Sequence, residues 1–117
     1  MEAARKRGLA LKVLGSTDLT HYGRNYGMRD HGRTSEALAW ARDTNDHRII
    51  EAMLALDAPR VIEEALTQQN ACCAGAAATA LTAAAALGAH QPVRVRYTTS
   101  YEKSPGDSFV GYVGILM

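Results

Sequence analysis

The feature that most constrains the fold is a short apolar run that ends in a polar segment bounded by glycines. Residues 9–14, Leu-Ala-Leu-Lys-Val-Leu, are predicted to form a buried strand. Residues 15–23 then place a carboxylate, an imidazole, a phenol and three hydroxyls between two glycines. Glycine permits the sharp turn that ends a strand, and ligands of open α/β sheets bind beyond the carboxyl ends of the strands. Residues 15–23 are therefore the first candidate for a functional site.

Asp18 and His21 are the side chains of this segment that could carry acid–base chemistry. Because they are three residues apart, the carboxylate is close enough to orient the imidazole. The same spacing occurs in a turn that caps a helix and carries a surface histidine. The spacing alone does not separate these two interpretations.

Charge and cysteine content argue against several classes of protein. The 117 residues carry a net charge of +1 at pH 7, with basic and acidic residues intermixed, so neither nucleic acid nor an anionic membrane is a predicted partner. The cysteines are the neighbours Cys72 and Cys73, which cannot bridge to each other without strain. The alanine-rich stretch 74–89 is too short and too weakly apolar to span a bilayer. We expect one cytoplasmic domain without a signal peptide.

Helix and strand patterns alternate along the chain, as in an α/β fold. The predicted elements are a helix tail at 1–7, the strand 9–14, a loop from 22 to 34, a helix from 34 to about 42, helices capped by 44–46 and by Asp57, an alanine-rich helix over 75–87, and strands over 93–98 and 108–117. The last strand is apolar on both faces, so we predict that it is central in its sheet.

Cys72 and Cys73 precede the alanine-rich helix. The positive end of a helix dipole favours a thiolate, so this is a suitable position for a reactive or metal-binding thiol. A buried and inert cysteine is the alternative. His31, in the loop, likewise fits either a ligand or a solvated side chain.

Four ordered segments resemble the Memo-like family, also called AmmeMemoRadiSam system protein B. Residues 16–23, Ser-Thr-Asp-Leu-Thr-His-Tyr-Gly, are similar to the family's Ser-Ser-Asp-(hydrophobic)-x-His-(aromatic)-Gly segment. The other three are Asn70-Ala71-Cys72, Tyr97-Thr98-Thr99-Ser100 and Asp107-Ser108-Phe109-Val110-Gly111-Tyr112. On this resemblance, residues 1–117 are a single Memo-like domain that corresponds to the C-terminal portion of the family's fold.

The resemblance implies an α/β fold with a partial three-layer sheet and flanking helices, like the C-terminal half of class III extradiol dioxygenases, which use non-heme iron. In the family, two histidines and a cysteine bind the metal, and a further histidine matches the acid–base group of the dioxygenases. By position, Cys72 corresponds to the cysteine ligand and His21 to the acid–base histidine, with Asp18 beside it. Cys73 stands where the family usually has glycine.

The family's two metal-binding histidines precede the matched segment, and this chain begins only a few residues before that segment. The resemblance therefore implies that the N-terminal half is absent and that Fe or Cu binds weakly or not at all to the isolated chain. The function it implies is a contribution to a metal-dependent redox or dioxygenase-like site. The alternative is a non-catalytic module that binds a ligand or peptide and pairs, through exposed strand edges, with another copy or with the N-terminal half. The sequence does not identify a substrate.

Overall fold

A computed structural model describes all 117 residues and contains five α-helices and three β-strands. The elements are α1 (Glu2–Lys6), β1 (His21–Tyr22), α2 (Thr34–Trp40), α3 (Asp46–Leu54), α4 (Ala58–Gln68), α5 (Ala74–Ala86), β2 (Val93–Thr99) and β3 (Phe109–Leu116). A π-helical turn joins α2 to α3 without a break, and a 3₁₀ turn follows β2. The prediction of an α/β chain is confirmed. A bilayer-spanning segment is not found among the helices, of which α5, with 13 residues, is the longest.

The three strands form an antiparallel sheet in the order β1-β3-β2. β3 is therefore central, as its apolar sequence predicted. His21 pairs with Val110 in the short ladder between β1 and β3, and Val93 pairs with Leu116 at the far end of the ladder between β2 and β3. A β-bulge at Val95 interrupts the second ladder and leaves β2 as a twisted edge strand.

The two faces of this sheet differ in what covers them. Side chains alternate along a strand, so Phe109, Val113 and Ile115 lie on the face that packs against the helices and their cores. The opposite face, which we call the open face, carries Val110, Tyr112 and Leu116 of β3. Tyr112 and Leu116 are exposed, whereas Val110, at the end that pairs with His21, is buried. The structure therefore has two layers, helices on one face of the sheet, where a partial three-layer arrangement was predicted.

Two clusters of buried side chains form the hydrophobic core. The larger one contains Leu19, Ile49, Ile50, Ala52, Met53, Val61, Ala77 and Leu81. It joins α3, α4 and α5 to the segment before β1. The smaller one contains Tyr22, Ala37, Ala41 and Phe109, and it packs α2 and the π-helical turn against the start of the sheet. Together they fix the position of residues 19–22, which end the polar segment singled out by the sequence.

Residues 9–14 do not form the predicted buried strand. They lie outside every regular element, and Leu9 and Leu14 are 61% and 95% exposed. None of residues 10–14 makes a backbone–backbone hydrogen bond, because no strand edge of this chain runs beside them. A buried strand must pair its N–H and C=O groups, so an apolar pattern without a partner edge cannot form one.

An ion pair between a half-exposed arginine and a buried glutamate ties α3 and α4 to the segment that leads to Cys72. The Arg48 guanidinium donates to both carboxylate oxygens of Glu64, with nitrogen–oxygen distances of 2.9 and 3.0 Å. The Asn70 amide donates to the same carboxylate at 3.2 Å and to the Asn45 carbonyl at 2.9 Å. The hydrogen bond from Arg48 lowers the pKa of Glu64 below its ordinary value.

Replacing Glu64 by Gln is expected to destabilise the protein by about 1 kcal/mol at neutral pH, because it removes the ion pair with Arg48. The expected loss is no larger because Arg48 is half exposed and solvent screens the pair. The folded-state pKa of Glu64 is lowered, so the stabilisation is complete above the unfolded Glu pKa of about 4.3 and is lost as pH falls through the folded-state value. Urea unfolding of wild type and Glu64→Gln from neutral to strongly acidic pH measures this. The difference in unfolding free energy should vanish in acid, and a difference independent of pH would refute the role of the charge.

Candidate functional site

Three side chains that the sequence analysis predicted to carry chemistry meet at one place. A carboxylate oxygen of Asp18, a ring nitrogen of His21 and the sulfur of Cys72 all lie within 4.8 Å of one another. We call this group the Asp-His-Cys cluster. The fold thus brings a thiol that precedes α5 to an imidazole at the start of β1.

Two hydrogen bonds hold the two segments of the cluster together. The Cys72 N–H donates to the Asp18 carbonyl at 3.2 Å, and the Cys73 N–H donates to the Thr17 hydroxyl at 3.0 Å. Both bonds join the chain before β1 to the chain before α5. The proximity of Asp18 and Cys72 is therefore a consequence of backbone pairing, and it does not depend on a contact between the two side chains.

Behind the cluster lies a buried carboxylate that sequence reasoning assigned only to a helix cap. Asp46 is fully buried, and its carboxylate accepts hydrogen bonds from the Thr20 N–H at 2.9 Å, from the Thr20 hydroxyl at 2.5 Å and from the Tyr97 hydroxyl at 2.7 Å. Burial raises the pKa of Asp46, and burial next to this carboxylate also raises the pKa of Tyr97. Asp46 thereby fixes Thr20, the residue before His21.

The His21 ring is oriented by backbone. Its Nδ1 lies 2.9 Å from the Leu19 carbonyl, and because a carbonyl only accepts, Nδ1 carries the proton of the neutral ring. Nε2 is then unprotonated and lies 3.8 Å from an Asp18 oxygen, beyond hydrogen-bond distance. The Tyr26 ring packs against the imidazole in a T-shaped arrangement, with ring centroids 4.9 Å apart. The free lone pair of Nε2 can take a proton or bind a metal.

The cluster opens to solvent on the open face of the sheet. The side chains of Asp18 and His21 are 47% and 30% exposed. Tyr112, which the sequence analysis did not single out as a site residue, lies on this face of β3. Partial burial raises the pKa of its hydroxyl, and the Asp18 carboxylate and Tyr26 raise it further. The alternating pattern of β3 was the sequence signal that could have identified Tyr112. Val110 pairs with His21, and Tyr112, two residues further along β3, lies on the same face as both.

The two neighbouring cysteines differ in their relation to the cluster. Cys72 belongs to it, and Cys73 is the N-cap residue of α5 and does not. Both thiols are free and exposed, which the buried-cysteine alternative did not anticipate. A hydrogen bond to Cys72 and the charge on Cys72 raise the pKa of the Cys73 thiol. The neutral thiol is therefore favoured at Cys73, although the helix was expected to stabilise a thiolate there.

The other histidines stand apart from this cluster. His31 stacks on Trp40, with ring centroids 3.6 Å apart and planes nearly parallel. His47 and His90 are exposed on the surface. None of the three joins a group of residues that could hold a metal ion.

The family model described as Memo-like protein matches residues 2–116. The chain belongs to the Memo-like family. Its relatives include MEMO1 family proteins of Thermococcus kodakarensis, 32% identical over 117 residues, and of Pyrococcus abyssi, 33% identical over 119. These alignments cover 98% and 99% of this chain and 40% of each relative. A MEMO1 family protein of Methanosarcina barkeri is 35% identical over 116 residues, which are 96% of this chain and 38% of the relative. No solved structure gives a significant match.

These comparisons confirm the family resemblance inferred from the motifs. The Memo-like chain spans about 40% of the length of the curated relatives that it matches. Cys72 and His21, the two positions that the resemblance carried over as metal ligand and acid–base group, lie together in the Asp-His-Cys cluster.

The Asp-His-Cys cluster of this Memo-like chain offers ligand types that suit a transition metal, but too few of them to fill its coordination sphere. Thiolate, imidazole and carboxylate are ligands for Zn, Fe and Cu, and the unprotonated Nε2 of His21 is in the form that binds a metal. Hydrogen bonding of Nδ1 to the Leu19 carbonyl is the outer contact that usually orients a metal-binding histidine. Even if all three donors bound the metal, at least one coordination position would be left for water or for groups from another polypeptide.

Proposed function

We propose that this Memo-like chain contributes one wall of a metal-dependent redox or dioxygenase-like site. In this proposal Cys72 binds Fe or Cu, and His21 is the acid–base group. The observation that carries the proposal is the approach of Asp18, His21 and Cys72 to within 4.8 Å in a chain of this family. The mixture of a soft thiolate with nitrogen and oxygen donors favours a transition metal over magnesium or calcium.

Each residue of the cluster has a distinct role in the proposed chemistry. When bound, Fe or Cu supplies the redox capacity of the site. The unprotonated Nε2 of His21 accepts a proton from a substrate hydroxyl, and the Leu19 carbonyl keeps the opposite nitrogen protonated. The Asp18 carboxylate, 3.8 Å from Nε2, stabilises the imidazolium that forms. Tyr26 limits rotation of the ring by packing on it.

The open face supports the further proposal that a second polypeptide completes the site. Val93, Val95 and Leu116 expose 59%, 62% and 69% of their surface on the open face, the same face of the sheet on which His21 lies. Exposed apolar surface of this kind commonly marks an interaction surface. The curated relatives carry more than half of their length outside the region matched by this chain. We propose that polypeptide of that kind covers the open face and adds the remaining ligands.

This proposal is tested by mixing the chain with the unmatched part of the Thermococcus kodakarensis relative. We expect a one-to-one complex that binds Fe or Cu more tightly than the isolated chain. Leu116→Lys should abolish the complex, because it places a charge at the proposed interface. Leu66→Lys is the matched control, since Leu66 is 78% exposed on α4, and it should leave the complex intact.

A second candidate function is a non-catalytic module that binds a partner or ligand, and the same exposed apolar face favours it. If the complex forms without a gain in metal affinity, this second function is the better account. If the chain pairs with itself through the open face, Leu116→Lys should convert a dimer into a monomer in size-exclusion chromatography. A strictly monomeric, stably folded chain that binds no partner polypeptide would contradict both forms of the interaction.

We also propose a cytoplasmic location. Both thiols are free and exposed, and an exposed thiol ligand stays reduced only in a reducing compartment.

A further inference from the structure

A second cleft lies on the opposite side of β1 from the Asp-His-Cys cluster. Its volume is about 480 Å³, and its lining includes Tyr22, Arg24, Arg29, Arg33 and Asp107. Tyr22 follows His21 in β1, so the two side chains point to opposite faces of the sheet. We call this space the arginine cleft. The roles proposed above for the cluster do not use it.

The loop that forms the arginine cleft is held at both ends. The Tyr22 hydroxyl donates to the Gly32 carbonyl at 2.7 Å and accepts from the His31 N–H at 3.0 Å. Within the loop, the Gly23 N–H donates to the Met28 carbonyl at 2.8 Å. These bonds position the backbone that carries the arginines before any ligand binds, which lowers the ordering cost of binding.

The three guanidinium groups of the cleft are unpaired. Arg24, Arg29 and Arg33 form no salt bridge and no side-chain hydrogen bond to a carboxylate. Arg42, Arg48 and Arg96 each pair with an Asp or Glu instead. Four arginines outside the cleft are also unpaired, namely Arg5, Arg7, Arg60 and Arg94. The three arginines of the cleft differ from them in lining one cavity together, so positive charge is concentrated there. Asp107 is the only carboxylate residue in the lining, so the lining residues carry two net positive charges. The Glu36 carboxylate lies just outside the lining, against Gly32 and the Arg33 N–H.

We propose that the arginine cleft binds a phosphate group, either free or carried by a small organic molecule. The planar fork of a guanidinium donates two parallel hydrogen bonds to a phosphate, and several such forks can share one tetrahedral anion. The two net positive charges of the lining equal in magnitude the charge of a phosphate dianion. A ligand with a single carboxylate would neutralise only one of them. The volume of the cleft is within the range of pockets that hold small molecules, so it has room for the organic part of a phosphate ester.

Calorimetric titration with inorganic phosphate and with glycerophosphate, at constant ionic strength, tests this proposal. Constant ionic strength is required because exposed charges are screened by salt. We expect saturable binding to one site, weakened about tenfold by Arg24→Gln and by Arg29→Gln, since each removes one charge-assisted hydrogen bond. Tighter binding of glycerophosphate identifies an ester as the ligand, and equal binding identifies free phosphate.

Two control variants make the test specific. Arg60→Gln removes an exposed guanidinium from α4, outside the arginine cleft, and should leave phosphate affinity unchanged. Asp107→Asn removes the one negative charge of the lining and should tighten phosphate binding several-fold. The proposal is overturned if wild type shows no saturable phosphate binding, or if Arg60→Gln weakens binding as much as Arg24→Gln does.

Discussion

Replacing Gly111 by Ala is expected to lower the free energy of unfolding by about 3 kcal/mol, whereas Gly114→Ala in the same strand should change it by less than about 1 kcal/mol. Neither glycine has a positive φ, so the comparison isolates the space around the added methyl group. A Cβ at position 111 would lie only 2.0 Å from an Asp46 carboxylate oxygen and 3.3 Å from the Tyr97 hydroxyl. At position 114 its nearest contact would be the Val95 Cβ, at an ordinary 3.8 Å.

The size of this effect follows from how firmly the carboxylate is held. Asp46 is fully buried and accepts hydrogen bonds from Thr20 and Tyr97, so it cannot move away from a methyl group without breaking them. Overpacking a buried position costs about 1–3 kcal/mol, and a broken buried hydrogen bond adds about 1–3 kcal/mol. Urea denaturation of the two variants measures the difference. Equal losses for Gly111→Ala and Gly114→Ala would show that Asp46 is free to move.

Replacing Cys72 by Ser is expected to weaken Zn²⁺ binding by at least about a hundredfold, more than the loss of a typical outer-shell contact. Cys73→Ser should change the affinity by no more than about threefold. Only Cys72 belongs to the Asp-His-Cys cluster, and the raised pKa of Cys73 disfavours its thiolate. Both thiols are exposed, so neither substitution should disturb the fold.

Competition with a chromophoric chelator gives the affinities of wild type and both variants under one set of conditions. Circular dichroism of the three metal-free proteins checks that the fold is unchanged. Similar losses for the two variants, or a larger loss for Cys73→Ser, would remove Cys72 from its proposed role.

The sequence predicted elements that carry a local signal or have a partner strand in this chain. The Asp57 carboxylate accepts from the Arg60 N–H at the start of α4, as its capping position predicted, and β2 begins at Val93 as expected. The apolar run 9–14 failed as a strand because strand formation depends on a partner edge, which local sequence does not encode. The break expected after Arg42 is absent, because a π-helical turn carries α2 into α3.

The candidate site was only partly accessible to sequence reasoning. Asp18 and His21 lie three residues apart, so their proximity could be predicted from spacing. Cys72 was joined to them through the family resemblance alone, since its approach depends on a backbone bond to Asp18 across distant parts of the chain. Asp46 was assigned to a helix cap, because its burial against Thr20 arises from the packing of α3 on the sheet.

X-ray absorption at the zinc edge tests most directly whether Cys72 is a metal ligand of the Asp-His-Cys cluster. For the Zn²⁺-loaded chain we predict one sulfur at about 2.3 Å together with nitrogen or oxygen at about 2.0–2.2 Å. The sulfur shell should disappear in Cys72→Ser. It should persist in Cys73→Ser and in His21→Ala, because His21 is proposed as the acid–base group and not as a ligand. A wild-type spectrum with only nitrogen and oxygen ligands, or a sulfur shell that survives in Cys72→Ser, would contradict the proposed site.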